Sequence, residues 1–246
     1  MSFFGDIGTW IAYLPGIAVM FFFWLGRRLG RIKVLHEERL PESIEDIVFV
    51  YNHPSVADHW FIAGLLSRYY VRHPLTQMPL IAADRKLFYN SKTFLLRIFR
   101  SAMIPIDRPT GRGAERSDAA TVLELRNTHR PILICPEGGR TFRGDEGDGW
   151  LYCKGGNDEN GGKIRPFKSG AGNLIKRRGA TALPIAIVGS HKVVPNSKEH
   201  LWTHFNFFET ITIVVGKPMR FDPKATKLEI TNKIQVKMLA LISEAL

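Results

Sequence analysis

Four short groups of residues in this 246-residue chain have the types and spacing that chemistry requires. The first is Asn52-His53, with Asp58 five residues beyond the histidine. A histidine paired with a carboxylate is a base whose second ring nitrogen the acid can hold, fixing the tautomer and stabilising the imidazolium. Asp107-Arg108 and Glu137-Gly138-Gly139-Arg140 come next, and each brings a guanidinium suited to two-point binding of a phosphate. The fourth is the turn after Val188. Singly, each group is weak. A lone His with a nearby Asp is commonly a surface accident, a lone Arg at a strand end commonly a solvated charge. Glu-Gly-Gly-Arg alone is commonly a plain turn, because paired glycines supply open backbone angles.

The elements that must position these groups are local in the sequence. Ile47 to Tyr51 is an apolar, β-branched and aromatic run of the kind covered on both faces. Pro54 then falls where a first helical residue belongs, and Val56, Trp60, Ile62 and Leu65-Leu66 continue at helical spacing. His53 is thus expected at the mouth of a strand-to-helix turn, the place where α/β proteins usually carry their chemistry. Further strands are expected at 79–83, 103–106, 131–135, 182–188 and 208–215. Helices are expected at about 91–100, 112–128 and 170–178. A last amphipathic helix is capped by Asp222-Pro223, with Leu228, Ile230, Ile234, Met238 and Leu241-Ile242 on its apolar side. The alternation predicts an α/β fold, a mixed sheet flanked by helices with one functional edge.

Residues 1–34 read as a membrane-associating segment and 35–246 as the main domain. Thr9 to Leu25 is nearly free of charge; as a helix of roughly 17 residues it would reach about 25 Å, just short of a bilayer core. Pro15-Gly16 argues against one straight span, and neither flank resembles a cleaved signal. Arg27, Arg28, Arg31 and Lys33 place positive charge where it meets anionic headgroups on the cytoplasmic side. An interfacial or re-entrant anchor fits better than a buried helix of a soluble domain. The net charge of +11 favours anionic partners, a membrane surface or phosphorylated substrates. It is also compatible with a basic, non-catalytic lipid- or nucleic-acid-binding protein, but no nucleic-acid reader motif is present and no such partner is expected.

Two cysteines, Cys135 and Cys153, make neither a disulfide framework nor a zinc site. His59 beside Asp58 lacks the companion histidines of a metal site, so no metal is expected. Arg143 to Lys163 holds seven glycines and five acidic residues and reads as a long flexible loop, with Trp150, Leu151 and Tyr152 out of character at its centre.

The order and spacing of the groups together are far more specific. Asn52-His53-x4-Asp58, Ile104-Pro-Ile-Asp-Arg108, Pro136-Glu-Gly-Gly-Arg140 and Leu183-Pro184-Ile185 resemble the four blocks of the glycerolipid acyltransferases, most nearly the 1-acylglycerol-3-phosphate acyltransferases. Phe167-Lys168-Ser169-Gly170 is similar to the family's basic turn before the last block. The resemblance implies an acceptor-binding role for Glu137 and Gly138 and an acyl-donor or packing role for Pro184. It also implies a lysophospholipid acceptor, with acyl-CoA or acyl-carrier protein as co-substrate and no further cofactor. Three positions depart from the pattern: Ala102 for a glycine, Gly139 for a threonine, and the long insertion at 143–163.

Moving an acyl group from a thioester to an alcohol needs a base for the hydroxyl, which is a poor nucleophile near neutral pH. His53 with Asp58 supplies one without a serine or cysteine nucleophile. Backbone N–H groups at Gly138-Gly139 are candidates for the oxyanion, and Arg108 and Arg140 for the acceptor phosphate. The acceptor stays open among 1-acylglycerol-3-phosphate, another lysophospholipid, a lyso-aminolipid and glycerol-3-phosphate. Oligomeric state is not legible.

Overall fold

Ile47–Tyr51 is apolar at every position because it is the middle strand of a sheet covered on both faces. The computed structural model describes residues 3–84, 103–106, 129–142, 149–195, 206 and 208–246. Helix α1 (Phe3–Arg28) leads to β1 (Ile32–Leu35), a 3-10 turn, and β2 (Ile47–Tyr51). Three helices follow, α2 (Asp58–Leu65), α3 (Ser67–Tyr70) and α4 (Pro74–Gln77), then β3 (Leu80–Asp84) and β4 (Met103–Ile106). Next come β5 (Ile132–Ile134), the short strands β6 (Leu151–Tyr152) and β7 (Lys163–Ile164), and α5 (Gly170–Arg178). The chain ends with β8 (Thr181–Val188), α6 (Ser190–Val193), β9 (Ile211–Val215) and α7 (Lys227–Ala245). The expected helices at 91–100 and 112–128, and Arg108 between them, lie outside the described residues.

The seven-stranded sheet has the order β1-β9-β8-β2-β5-β3-β4. β2 is parallel to β5 and β8, β5 to β3, and β3 to β4, so all five deliver their carboxyl ends to one edge. β9 runs antiparallel to β8, and β1 joins β9 in parallel, which makes the sheet mixed. Alternation along β2 divides the core. Ile47, Phe49 and Tyr51 face Phe23, Ile62, Leu65 and Leu66 of the first helices, while Val48 and Val50 face Leu174, Ile175, Ile230 and Ile234 of α5 and α7. The result is helix, sheet, helix, as expected of the fold class.

Several local expectations change. The chain stays helical through Pro15 and Gly16, because α1 is held by tertiary packing that outweighs the lost hydrogen bond. The Tyr70 hydroxyl donates to the Gly16 carbonyl at 3.2 Å, and Phe23 is 7% exposed, a burial that stabilises by about 2 kcal/mol. At Gly64 any Cβ would lie 2.5 Å from Phe23, so the two helices approach as closely as a glycine allows. Ile32–Leu35 forms β1, in a stretch whose Arg31 and Lys33 the sequence reading assigns to anionic headgroups. No helix among the described residues is long and apolar enough to cross a membrane.

Helix α2 starts at Asp58 and not at Pro54, since residues 54–57 form a turn tied by side chains. The last helix is capped by Thr226 with Glu229 in a reciprocal capping box, while Asp222 closes the preceding turn through the Lys224 N–H at 2.7 Å. The described part of the glycine-rich segment carries the antiparallel β6–β7 pair. Asn157 and Asn160 accept from each other's backbone N–H at 2.9 and 2.8 Å, and Ile164 is fully buried against α7.

Candidate active site

The site assembles where β2, β5 and β8 end. Asn52 prolongs the β2–β8 pairing by one step beyond the ladder: its amide donates to the Ile187 carbonyl at 2.8 Å and accepts from the Ile187 N–H at 2.7 Å. That clamp fixes the backbone immediately before His53. Beyond it, the Asp58 carboxylate organises the turn. Its Oδ2 accepts from the Ser55 N–H at 2.6 Å and meets His53 Nδ1 at 2.9 Å, and its Oδ1 accepts from the Ser190 hydroxyl at 2.6 Å. Ser55 in turn donates its hydroxyl to the Val194 carbonyl at 2.8 Å, which binds the turn to the segment after β8.

Asp58 has no solvent exposure, and burial pushes its carboxyl up to about 7 against the opposing hydrogen bonds from Ser190 and Ser55 and the positive field of Arg140. Ionised, it accepts from Nδ1–H and leaves the Nε2 lone pair of His53 directed outward, the tautomer a base requires. His53 keeps 14% of its side chain exposed, enough for a substrate to reach it. The structure brings the two residues singled out in the sequence into contact beyond the end of β2.

Glu137 lies in the turn after β5, and its carboxylate faces inward. Oε1 accepts from the His53 N–H at 2.9 Å, Oε2 from the Arg165 N–H at 2.9 Å, and the Thr141 hydroxyl donates to both at 3.0 and 2.9 Å. The Thr141 N–H closes the arrangement on the His53 carbonyl at 2.7 Å. Burial raises the Glu137 carboxyl to about 7, opposed by those same bonds. Glu137 therefore ties the base-bearing turn, its own turn and the segment after β7 into one unit.

Gly138 adopts φ 71°, where a side chain would be strained, and a Cβ there would sit 2.8 Å from Lys168 Nζ. Its N–H turns in to the Cys135 carbonyl at 3.4 Å, so of the two glycine N–H groups expected to meet the oxyanion this one is already engaged. A Cβ at Gly139 would stand 3.8 Å from an Arg165 nitrogen. Arg140, Arg165 and Lys168 thus surround the Glu137–Gly139 turn with positive charge, and Trp150 of the hairpin lies 5.2 Å from the Arg165 guanidinium.

Pro184 is apart from this group. It is buried within β8 opposite Val50, its carbonyl accepts from the Gly216 N–H at 2.8 Å, and its ring would meet any Cβ placed at Gly216. Sequence reasoning missed Ser55, Thr141, Arg165 and Ser190. Only Ser190 left a signal, the Gly189-Ser190 turn directly after the β8 run.

A family model described as Acyltransferase matches residues 31–188, the span that contains His53, Asp58, Glu137, Arg140, Arg165 and Lys168. A chloroplastic 1-acyl-sn-glycerol-3-phosphate acyltransferase of Brassica napus is 24% identical over 82% of this chain and 49% of its own length. Another chloroplastic enzyme of that name, from Arabidopsis thaliana, is 23% identical over 77% of this chain and 44% of its own. The chain spans about half the length of these curated relatives. Among solved structures, the 1-acyl-sn-glycerophosphate acyltransferase PlsC of Thermotoga maritima superposes with a TM-score of 0.62 over 93% of this chain and 78% of that one. At 16% identity that likeness speaks for the fold. With the family model laid over more than half of the chain and over the strand ends that carry His53, Asp58, Glu137 and Arg140, this chain belongs to the acyltransferase family.

Proposed function

We propose that the protein is a membrane-associated O-acyltransferase. It moves a fatty acyl group from the thioester of coenzyme A or acyl-carrier protein to the free hydroxyl of 1-acylglycerol-3-phosphate, giving phosphatidic acid for phospholipid synthesis. The observation that carries the reading is the 2.9 Å His53–Asp58 contact at the carboxyl edge of the sheet. His53 Nε2 removes the hydroxyl proton as the acceptor oxygen bonds to the thioester carbonyl carbon. The Asp58 carboxylate stabilises the imidazolium formed. Collapse of the tetrahedral intermediate breaks the C–S bond, and the departing thiolate takes the proton from Nε2. The oxyanion falls to the Gly139 side of the turn, where Arg140, Arg165 and Lys168 supply positive potential.

The same three cations suit an acceptor phosphate, a role that the resemblance also implies for Arg108. Glu137 and Gly138 serve the acceptor by shaping the turn that holds those charges, and Pro184 serves by packing. At the amino end, Phe21, Phe22 and Trp24 are exposed beside Arg27, Arg28 and Arg31. That combination supports residence on an anionic, cytoplasmic membrane face, where the acceptor is found.

A second acceptor is favoured by one feature. Gly139 stands where the resemblance expects a threonine, and the space this leaves is bordered by Arg165. A different lysophospholipid, a lyso-aminolipid or glycerol-3-phosphate would then take the acceptor place. Thiol release measured under identical conditions with each acceptor tests the proposal. The expected order puts 1-acylglycerol-3-phosphate first; preference for a phosphate-free lysolipid contradicts it.

A further inference from the structure

His59 follows the acid of the His53–Asp58 pair, and nothing in the reaction described above uses it. Its ring is stacked on that of His53, with centroids 4.9 Å apart and planes 30° from parallel. Its Nδ1 is hydrogen-bonded to the hydroxyl of Tyr51, the last residue of β2, whose ring packs edge-on against His59 at 5.6 Å. Tyr51 is 1% exposed, and burial holds its hydroxyl in the protonated form. The hydroxyl and Nδ1 share one hydrogen bond, which fixes the plane of the His59 ring.

The other groups around His53 divide by element. From α2 come Asp58 and His59, and from β2 comes Tyr51, 6.4 Å away and edge-on. From the turn after β5 come Glu137, which holds the His53 amide, and Arg140, whose charge reaches Asp58. Cys135 stands behind Tyr51, with its thiol kept protonated by burial. Ser190 of α6 reaches only Asp58. Of these groups, His59 is the one whose ring stacks on the imidazole of His53.

We propose that His59 is a positioning residue for His53: its ring, fixed by the Tyr51 hydroxyl, sets the plane in which Nδ1 meets Asp58 and stabilises the positive charge that His53 acquires. A neutral π-face is attractive to a cation lying over it, so the partner must not itself be charged. Burial, reinforced by the field of His53, lowers His59 to about 3 and keeps it neutral through the working range. Two imidazolium rings never face each other. The inference rests on His53 being the base of the proposed reaction.

The test is the titration of the His53 ring by NMR, in protein with labelled histidine, assigned by the signal lost in His53→Ala. This readout does not need turnover. Replacing the flat ring in His59→Leu, and in His59→Gln as a second variant that retains a polar contact for Tyr51, is expected to lower the midpoint by about half a pH unit. His59→Phe keeps a face and is expected to recover most of that shift. The same Leu and Gln variants should lose roughly threefold or more in kcat, with KM for the acceptor little altered. Midpoints coincident with wild type in both variants would overturn the proposal even if acyl transfer is intact. Wild-type protein without thiol release, but with the midpoint shifts present, would instead sink the assigned reaction and leave the ring pairing standing.

Discussion

The turns after β2 and β5 each bury one carboxylate, and burial raises both groups to about 7. They differ in what the charge meets. Asp58 contacts a titratable ring directly, and its remaining capacity is filled by a hydroxyl and an N–H. Glu137 meets two backbone N–H groups and a hydroxyl, with no titratable side chain hydrogen-bonded to it among the described residues. The first arrangement converts a buried charge into proton affinity at His53. The second converts it into placement of backbone, because each accepted N–H fixes a different segment. Equal burial and similar shift thus serve two ends, and the identity of the donor decides which.

Asp58→Asn breaks the comparison on the chemical side. An amide of the same shape cannot stabilise the imidazolium, and it offers Nδ1 a neutral partner, so kcat is expected to fall by about 10³-fold or more with little change in fold. Steady-state thiol release and far-ultraviolet circular dichroism measure the two halves of that statement. Glu137→Gln breaks it on the structural side. An amide presents one oxygen where two were used, so at least one N–H loses its acceptor, and stability should drop by about 1–3 kcal/mol in denaturant titration. Activity should fall less than in Asp58→Asn, by roughly 10- to 100-fold.

Both carboxyls also give the fold a pH dependence of definite sign. Each has a folded value near 7, above its unfolded value near 4, so the folded state binds protons more tightly between the two. The stabilising contribution is full below about 4 and is lost as pH rises through about 7. Activity moves in the opposite direction, since the base needs Asp58 ionised. Asp58→Asn should therefore flatten part of the stability slope between pH 4 and 7 and abolish the matching rise in rate. Glu137→Gln should flatten a similar part of the slope and retain a rising limb, displaced to lower pH because a repelling charge near Asp58 is gone.

What was legible in the sequence was whatever depends on neighbours along the chain. Ile47–Tyr51 declares a buried strand by composition, and the His53–Asp58 pair follows from a turn of five residues. Ser190 is 132 residues from the carboxylate it binds and meets it because β2 lies beside β8, and Arg165 is 28 residues from Glu137, with the β6–β7 hairpin between them. Strand order is a tertiary property, so no local pattern announces it. β1 was hidden for another reason. Arg31 and Lys33 read as headgroup-facing charge, while in the strand Lys33 points outward and Ile32 inward, the ordinary alternation of a half-buried strand. The hairpin at 151–164 was obscured by glycines whose turn is held by asparagine side chains and not by apolar periodicity.

His53→Ala, assayed for thiol release with 1-acylglycerol-3-phosphate and an acyl thioester, tests the central claim most directly. With His53 as the base, kcat collapses by about 10³-fold or more at saturating acceptor, while KM stays within a few-fold of wild type. A rate unchanged by the substitution would contradict the account.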